Sequence, residues 1–375
     1  MNLTWRALTW RALVTVVIAL AVAGESARAE TTPTGNGHVK VALVLSLSAE
    51  GALGKAARSI KQGAEMAFAE WKDPDLHLMI EDDGGKSADA ERAVRRALDD
   101  RAHMILGPQL PESIRKAAEI AAPRGVPMIV FSTDPMIPAP GVYWLANRQG
   151  PEVERIVDFA ISRGKRVFGA LLSDTNGSAV EAMLRAAIEL RGGTLAAVER
   201  YPAGTEPTRD IAGKFAIDSI EAILLSDSTG TVAKAARSLK SAGVDLQRVQ
   251  LVGTADWYSS NNFTEPALHG GWYASPDFTS LGFFAGRYRE RFGEVIDAYA
   301  VMAYDAVSLA VAVHKTEGFR SFTKDILSAR SGFNGTIGAF RFRSDRTTER
   351  ALGVYRVTPS KAELLTSLPD GFSSQ

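Results

Sequence analysis

The chain of 375 residues contains no cysteine. That excludes disulfides, thiolate metal sites, iron–sulfur clusters, thiol nucleophiles and a lipid-bearing cysteine. Net charge is missing too: 43 Lys and Arg stand against 43 Asp and Glu. Nothing in that balance pulls the protein toward nucleic acid or an anionic membrane surface. Histidine is scarce. His38, His77, His103, His269 and His314 stand apart, without metal-ligand spacing. A Walker-type phosphate loop, a G-x-G-x-x-G after a strand, a G-x-S-x-G nucleophile elbow and H-E-x-x-H are all lacking. These absences argue against an enzyme, and no cofactor or metal is expected.

What is present reads as globular, with 46% hydrophobic and 23% charged residues. The length suggests two domains. At the start, Arg6 and Arg11 precede an apolar run over residues 12–23, followed by Ala27-Arg28-Ala29. That is the pattern of a cleavable secretory signal peptide over residues 1–29. The run is about 12 residues long, against the roughly 20 a spanning helix needs, so no stable membrane insertion of the mature chain is expected. Cutting after Ala29 removes three arginines and one glutamate, leaving 40 basic and 42 acidic residues. An exported, mildly acidic protein is expected.

From residue 39 onward, short apolar runs alternate with amphipathic helical stretches, the pattern of parallel α/β architecture. Val39–Leu45, Leu76–Ile80, Met104–Leu106 and Pro127–Phe131 read as strands, with helices between them. A second run of the same kind has strands at Arg166–Leu172, Thr194–Tyr201, Ala222–Leu225 and Gln250–Val252. Two tandem units imply two lobes. Leu281–Arg291 and Ala298–His314 read as helices that return to the first lobe. Gly338–Arg343 and Leu352–Thr358 alternate like antiparallel strands.

Open parallel sheets bind ligands beyond the carboxyl ends of their strands. Those ends here carry Ser46-Leu47-Ser48, Gly107-Pro108-Gln109 and Ser132-Thr133-Asp134 in the first unit. In the second they carry Asp174-Thr175-Asn176, Ser226-Asp227-Ser228 and Thr254-Ala255-Asp256-Trp257-Tyr258. Hydroxyls and helix N-termini suit a ligand carboxylate. Asp174, Asp227 and Asp256 suit an ammonium, and Trp257 or Tyr258 suits an apolar or cationic face. Singly, each of these residue types is as well explained as a helix cap or turn; the case rests on their clustering.

Several stretches resemble the type I periplasmic binding proteins, in their leucine/isoleucine/valine-binding group: Gly63-Ala64-Glu65-Met66-Ala67, Asp82-Asp83-Gly84-Gly85-Lys86, Ile105-Leu106-Gly107-Pro108, Val126-Pro127-Met128-Ile129 and Ala303-Tyr304-Asp305-Ala306-Val307. The resemblance implies two Rossmann-like lobes with parallel central sheets joined by three crossovers. It places residues 30–147 with 274–331 in an N-terminal lobe and 148–273 with 332–375 in a C-terminal lobe. It implies a small-molecule ligand held between the lobes and handed to an ABC permease complex in the inner membrane, with no nucleic acid involved. The ligand would be amino-acid-like or carboxylate-bearing, with Gln109, Ser132, Thr133 and Asp134 at the positions that hold carboxylate and ammonium. Ser48, Asp174, Asn176, Asp227, Asp256 and Trp257 complete the expected set. The loop Gln109-Leu110-Pro111 lacks the family's Ser/Thr cluster, and Thr175-Asn176-Gly177 replaces its Tyr-Gly. Both departures argue against a standard branched-chain amino acid. Within the group, Phe131-Ser132-Thr133-Asp134 and Gly253-Thr254-Ala255-Asp256-Trp257 look most like penicillin-binding protein activators. An interaction module in cell-wall synthesis is therefore the alternative reading.

Overall fold

The computed structural model describes residues 39–131, 139–146, 148–175, 177–227, 230–318, 322–366 and 372. The expected signal peptide, Ser132, Thr133, Asp134 and Asn176 lie outside the described residues.

Strand β1 (Val39–Leu45), helix α1 (Gly51–Trp71), β2 (Leu76–Asp82), α2 (Ser87–Asp99), β3 (Met104–Leu106), α3 (Pro111–Ala121), β4 (Met128–Val130) and β5 (Val142–Trp144) build the first body. Its five strands are parallel, in the order β2-β1-β3-β4-β5. The nearly unbroken apolar run of β1 follows from cover on both faces. Val39, Val41, Leu43 and Leu45 pack with α1, while Ala42 and Val44 pack with α2 and α3.

The second body begins with α4 (Gln149–Ser162), β6 (Val167–Ser173), α5 (Gly177–Leu190) and β7 (Thr194–Tyr201). It continues through the short α6 (Arg209–Gly213), β8 (Ala222–Ser226), α7 (Val232–Ser241), β9 (Gln250–Gly253), the short α8 (Ser260–Phe263) and β10 (Trp272–Ser275). Here too alternate residues face opposite layers. Ile223 and Leu225 pack with α7, and Ala222 and Leu224 with α4 and α5.

The chain then returns to the first body through α9 (Leu281–Phe292), α10 (Ala298–Glu317) and the short α11 (Lys324–Leu327). Helix α10 lies against α1, and Gly63 makes that approach possible. A Cβ there would stand 2.1 Å from the carbonyl oxygen of Ala300. Alanine favours a helix over glycine by up to about 1 kcal/mol, but a backbone atom cannot move aside as a side chain does. Gly63→Ala is therefore expected to destabilise the protein by about 1–3 kcal/mol, read from the midpoint of urea unfolding.

Strands β11 (Phe333–Gly335), β12 (Gly338–Phe342) and β13 (Thr348–Arg350) form an antiparallel sheet of their own. Finally β14 (Gly353–Val357) and β15 (Ala362–Leu364) join the second body, giving the order β15-β14-β10-β9-β8-β6-β7. Within this sheet β7 to β10 run parallel, and β14 and β15 pair antiparallel at its edge. The sequence placed everything from residue 332 in the C-terminal lobe, and the packing corrects this for β11–β13. Phe340 and Phe342 share one face of β12 and pack in the core of the first body, where Tyr143 meets Phe342 edge-on at 5.1 Å. Thr348 donates its hydroxyl to the Trp144 carbonyl, and Trp144 N–H donates to Arg346 O. Entry into the second sheet comes only after Arg350. Among the described residues, no helix is long and apolar enough to cross a membrane.

Candidate functional site

Two rims of strand ends carry the candidate residues. On the first, Ser46 follows β1 and is fully buried. Its N–H donates to Gln109 Oε1 at 3.1 Å, and its hydroxyl to Asp83 Oδ1 at 2.7 Å. Asp82 Oδ1 accepts from the N–H groups of Ser48 and Gly84. Gln109 and Ser48 are thus brought together around the tips of β1 and β2, with Ser48 exposed. Gln109 uses its amide oxygen to pin the β1 tip, which leaves its amide nitrogen for a ligand. Burial pushes the Asp83 carboxyl up, against the pull of its hydrogen bonds from Ser46 and Gly85.

On the second rim, Asp227 and Asp256 meet around Ser226. Asp256 Oδ2 accepts from Gln149 Nε2 at 2.9 Å and from Ser226 Oγ at 3.5 Å. Gln149 Nε2 also reaches Ser226 Oγ at 3.2 Å. Burial pushes the Asp256 carboxyl up, and the Asp227 charge adds to the effect. Asp174 follows β6, with an exposed side chain and its N–H on the Tyr201 carbonyl.

Two expected ligand groups are used inside the fold instead. Asp227 is 1% exposed and accepts hydroxyl hydrogen bonds from Tyr201 and Thr231. It ties the end of β7 to the start of α7. Trp257 is fully buried in the second core, and its Nε1–H donates to the Leu225 carbonyl at 3.0 Å. The indole fills space that exists because Gly253 and Gly271 lack side chains. A Cβ on Gly253 would stand 2.0 Å from Trp257 Nε1, and one on Gly271 2.7 Å from its Cζ3. The neighbouring Tyr258 is the exposed aromatic.

Sequence reasoning missed the junction where the three passes between the bodies meet. Ala146, Arg148, Pro151 and Glu152 from the first pass, Pro276 from the second, and Thr348, Arg350 and Leu352 from the third enclose a cavity with room for about one water. Glu152 is 6% exposed, and its Oε2 accepts from the Ala255 N–H at 3.0 Å. Burial pushes its carboxyl up to about 8, with the Asp256 charge adding and the Arg350 charge opposing. Arg350 stands 3.8 Å from Asp305, whose Oδ1 accepts from both N–H and hydroxyl of Thr336. Asp305, from the Ala303–Val307 motif, therefore anchors α10 to the β11–β12 turn and to the third pass. Glu152 carried no sequence signal, because an acidic residue in the first turn of a helix ordinarily faces solvent.

Residues 38–363 match the family model described as periplasmic binding protein. The chain belongs to the periplasmic binding protein family. No curated protein matches it. Among solved structures, a candidate branched-chain amino acid ABC transporter protein from Rhodospirillum rubrum superposes with a TM-score of 0.74 at 21% identity, covering 87% of this chain and 99% of that one. An ABC transporter solute-binding protein from Rhodopseudomonas palustris BisB5, in complex with 3,4-dihydroxybenzoic acid, gives 0.57 at 18% identity, covering 87% and 94%. A branched-chain amino acid transporter substrate-binding protein from Streptococcus pneumoniae, in complex with isoleucine, gives 0.54 at 16% identity, covering 88% and 99%. These likenesses establish the type I periplasmic binding protein fold.

Proposed function

We propose that this chain is an exported solute-binding protein that captures a small carboxylate-bearing ligand between its two bodies and presents it to an inner-membrane ABC permease. The observation that carries the reading is the Gln149–Ser226–Asp256 cluster, a set of polar groups gathered at strand tips in a chain of this family. Capture accounts for a site rich in hydrogen-bonding groups. Ser48 and the Gln109 amide face the ligand from the first body, and Asp174, Gln149 and Asp256 from the second. The bodies act as lobes: the ligand bridges them and favours the closed arrangement by binding it more tightly. The aromatic acid and the amino acid bound by the two structural relatives bracket the ligand class, and both carry a carboxylate.

A thermal-shift panel of isoleucine, leucine, benzoate and 3,4-dihydroxybenzoate tests the reading. At a hundredfold excess over Kd, a true ligand adds about 2.7 kcal/mol of stability by mass action, a rise of several degrees. Gln149→Ala should abolish that rise while leaving the unliganded melting temperature within a few degrees of wild type. A panel without any shift, joined to capture of a peptidoglycan synthase from envelope extract, would favour the cell-wall reading instead.

A further inference from the structure

The amino-terminal ends of the first sheet's strands, remote from the candidate ligand groups, hold a second polar cluster. Asp73 and Asp75 lie in the turn between α1 and β2, and His314 lies in the last turns of α10. One carboxylate oxygen from each aspartate and one imidazole nitrogen all fall within 4.8 Å of one another. Asp73 is 8% exposed. Its Oδ1 accepts from the Asp75 N–H at 3.0 Å, which fixes the carboxylate, while the buried Oδ2 has no hydrogen-bond partner. The buried Nδ1 of His314 has none either. Buried polar atoms are ordinarily satisfied, so two orphaned atoms on side chains that also come together in this cluster point to a ligand held among them.

We infer that Asp73, Asp75 and His314 form a binding site for a single zinc-class divalent cation. No hydrogen bond or ion pair joins the three side chains, so they do not satisfy one another. A point between three donors at this spacing lies at most about 2.8 Å from each, against zinc bonds of about 2.0–2.2 Å. The exposed Asp75 supplies the remaining contraction by rotating its side chain. Imidazole together with carboxylates selects zinc, nickel or copper over calcium and magnesium, which take oxygen ligands. Zinc fits one imidazole and two carboxylates, with water completing the tetrahedron. The positive groups nearby leave room for a cation. Lys40 turns its ammonium to the Asp100 carbonyl at 2.8 Å. His103 Nδ1 accepts from the Lys40 N–H at 3.1 Å. The bound ion would clasp the α1–β2 turn to the end of α10, reinforcing the helix pair that meets at Gly63 and Ala300.

The test uses the whole chain without a histidine tag, stripped with EDTA and titrated with Zn²⁺ by calorimetry. Expected are one zinc per chain and a higher melting temperature with zinc than without. Co²⁺ should give the visible absorption of a four-coordinate site. His314→Gln and the exposed-site variant Asp75→Asn should each weaken binding at least tenfold, with unchanged circular dichroism of the metal-free protein. Absence of stoichiometric zinc binding by the wild type would overturn the inference. So would retention of wild-type affinity in both variants.

Discussion

Between pH 5 and pH 8.5 the wild type is expected to lose on the order of 4 kcal/mol more stability than the Glu152→Gln variant. The folded-state acid constant of Glu152 is pushed up to about 8 by burial, whereas an unfolded glutamate titrates near 4.5. Between those values the folded chain keeps a proton that the unfolded chain has released. Unfolding therefore releases a proton, and rising pH favours it. The loss begins near pH 4.5, grows through neutrality and levels off above pH 8. Glutamine cannot ionise, yet its amide oxygen still accepts from the Ala255 N–H, so the variant lacks this slope. Asp256 and Asp305 are also pushed up by burial and remain in both proteins, so the difference between the two curves isolates Glu152. Carboxyls held low by their partners, such as Glu221 beneath the N–H groups of Arg166 and Val167, contribute only under acid conditions. Urea unfolding across the pH series provides the check; parallel curves for the two proteins would mean that Glu152 ionises freely.

Trp257→Ala is expected to destabilise the protein by about 3–5 kcal/mol, and Gly253→Ala to be similarly severe. Truncating the fully buried indole removes its packing against Tyr273, leaves a cavity between Gly253 and Gly271, and strands the Leu225 carbonyl in the core. Gly253→Ala fails from the opposite direction, because its new methyl group would occupy the position of the indole. The partly exposed Tyr258, which packs on Phe263 and Phe278, makes the contrast, since Tyr258→Ala should cost only about 1 kcal/mol. If Trp257→Ala unfolded like wild type and instead lost ligand affinity, the assignment of Trp257 to the core would be wrong.

Much of the fold was legible because cover on both faces writes itself into the strands. The run Val39–Leu45 leaves little room for another reading. Position in the final stretch was less legible. Strands β12 and β14 show the same alternation, and nothing local says that Phe340 and Phe342 complete the first core while Val354 enters the second. At the candidate site, position at a strand tip does not say which side chains point outward. A carboxylate at a strand tip serves a ligand or a neighbouring helix equally well, and Thr231 with Tyr201 takes Asp227 inward. Trp257 looked available because it follows a strand end; the two glycines that make room for it come from β9 and from just before β10 and meet only in three dimensions. Glu152 and Arg350 were invisible for the same reason. Their burial arises where distant segments cross.

The most direct test of ligand capture between two lobes is small-angle X-ray scattering of the chain at increasing concentrations of a carboxylate that raises its melting temperature. The account predicts that the radius of gyration falls in step with saturation at one ligand per chain, and that Gln149→Ala shows neither binding nor compaction. Saturation without compaction, or full compaction by the Gln149→Ala variant, would contradict it.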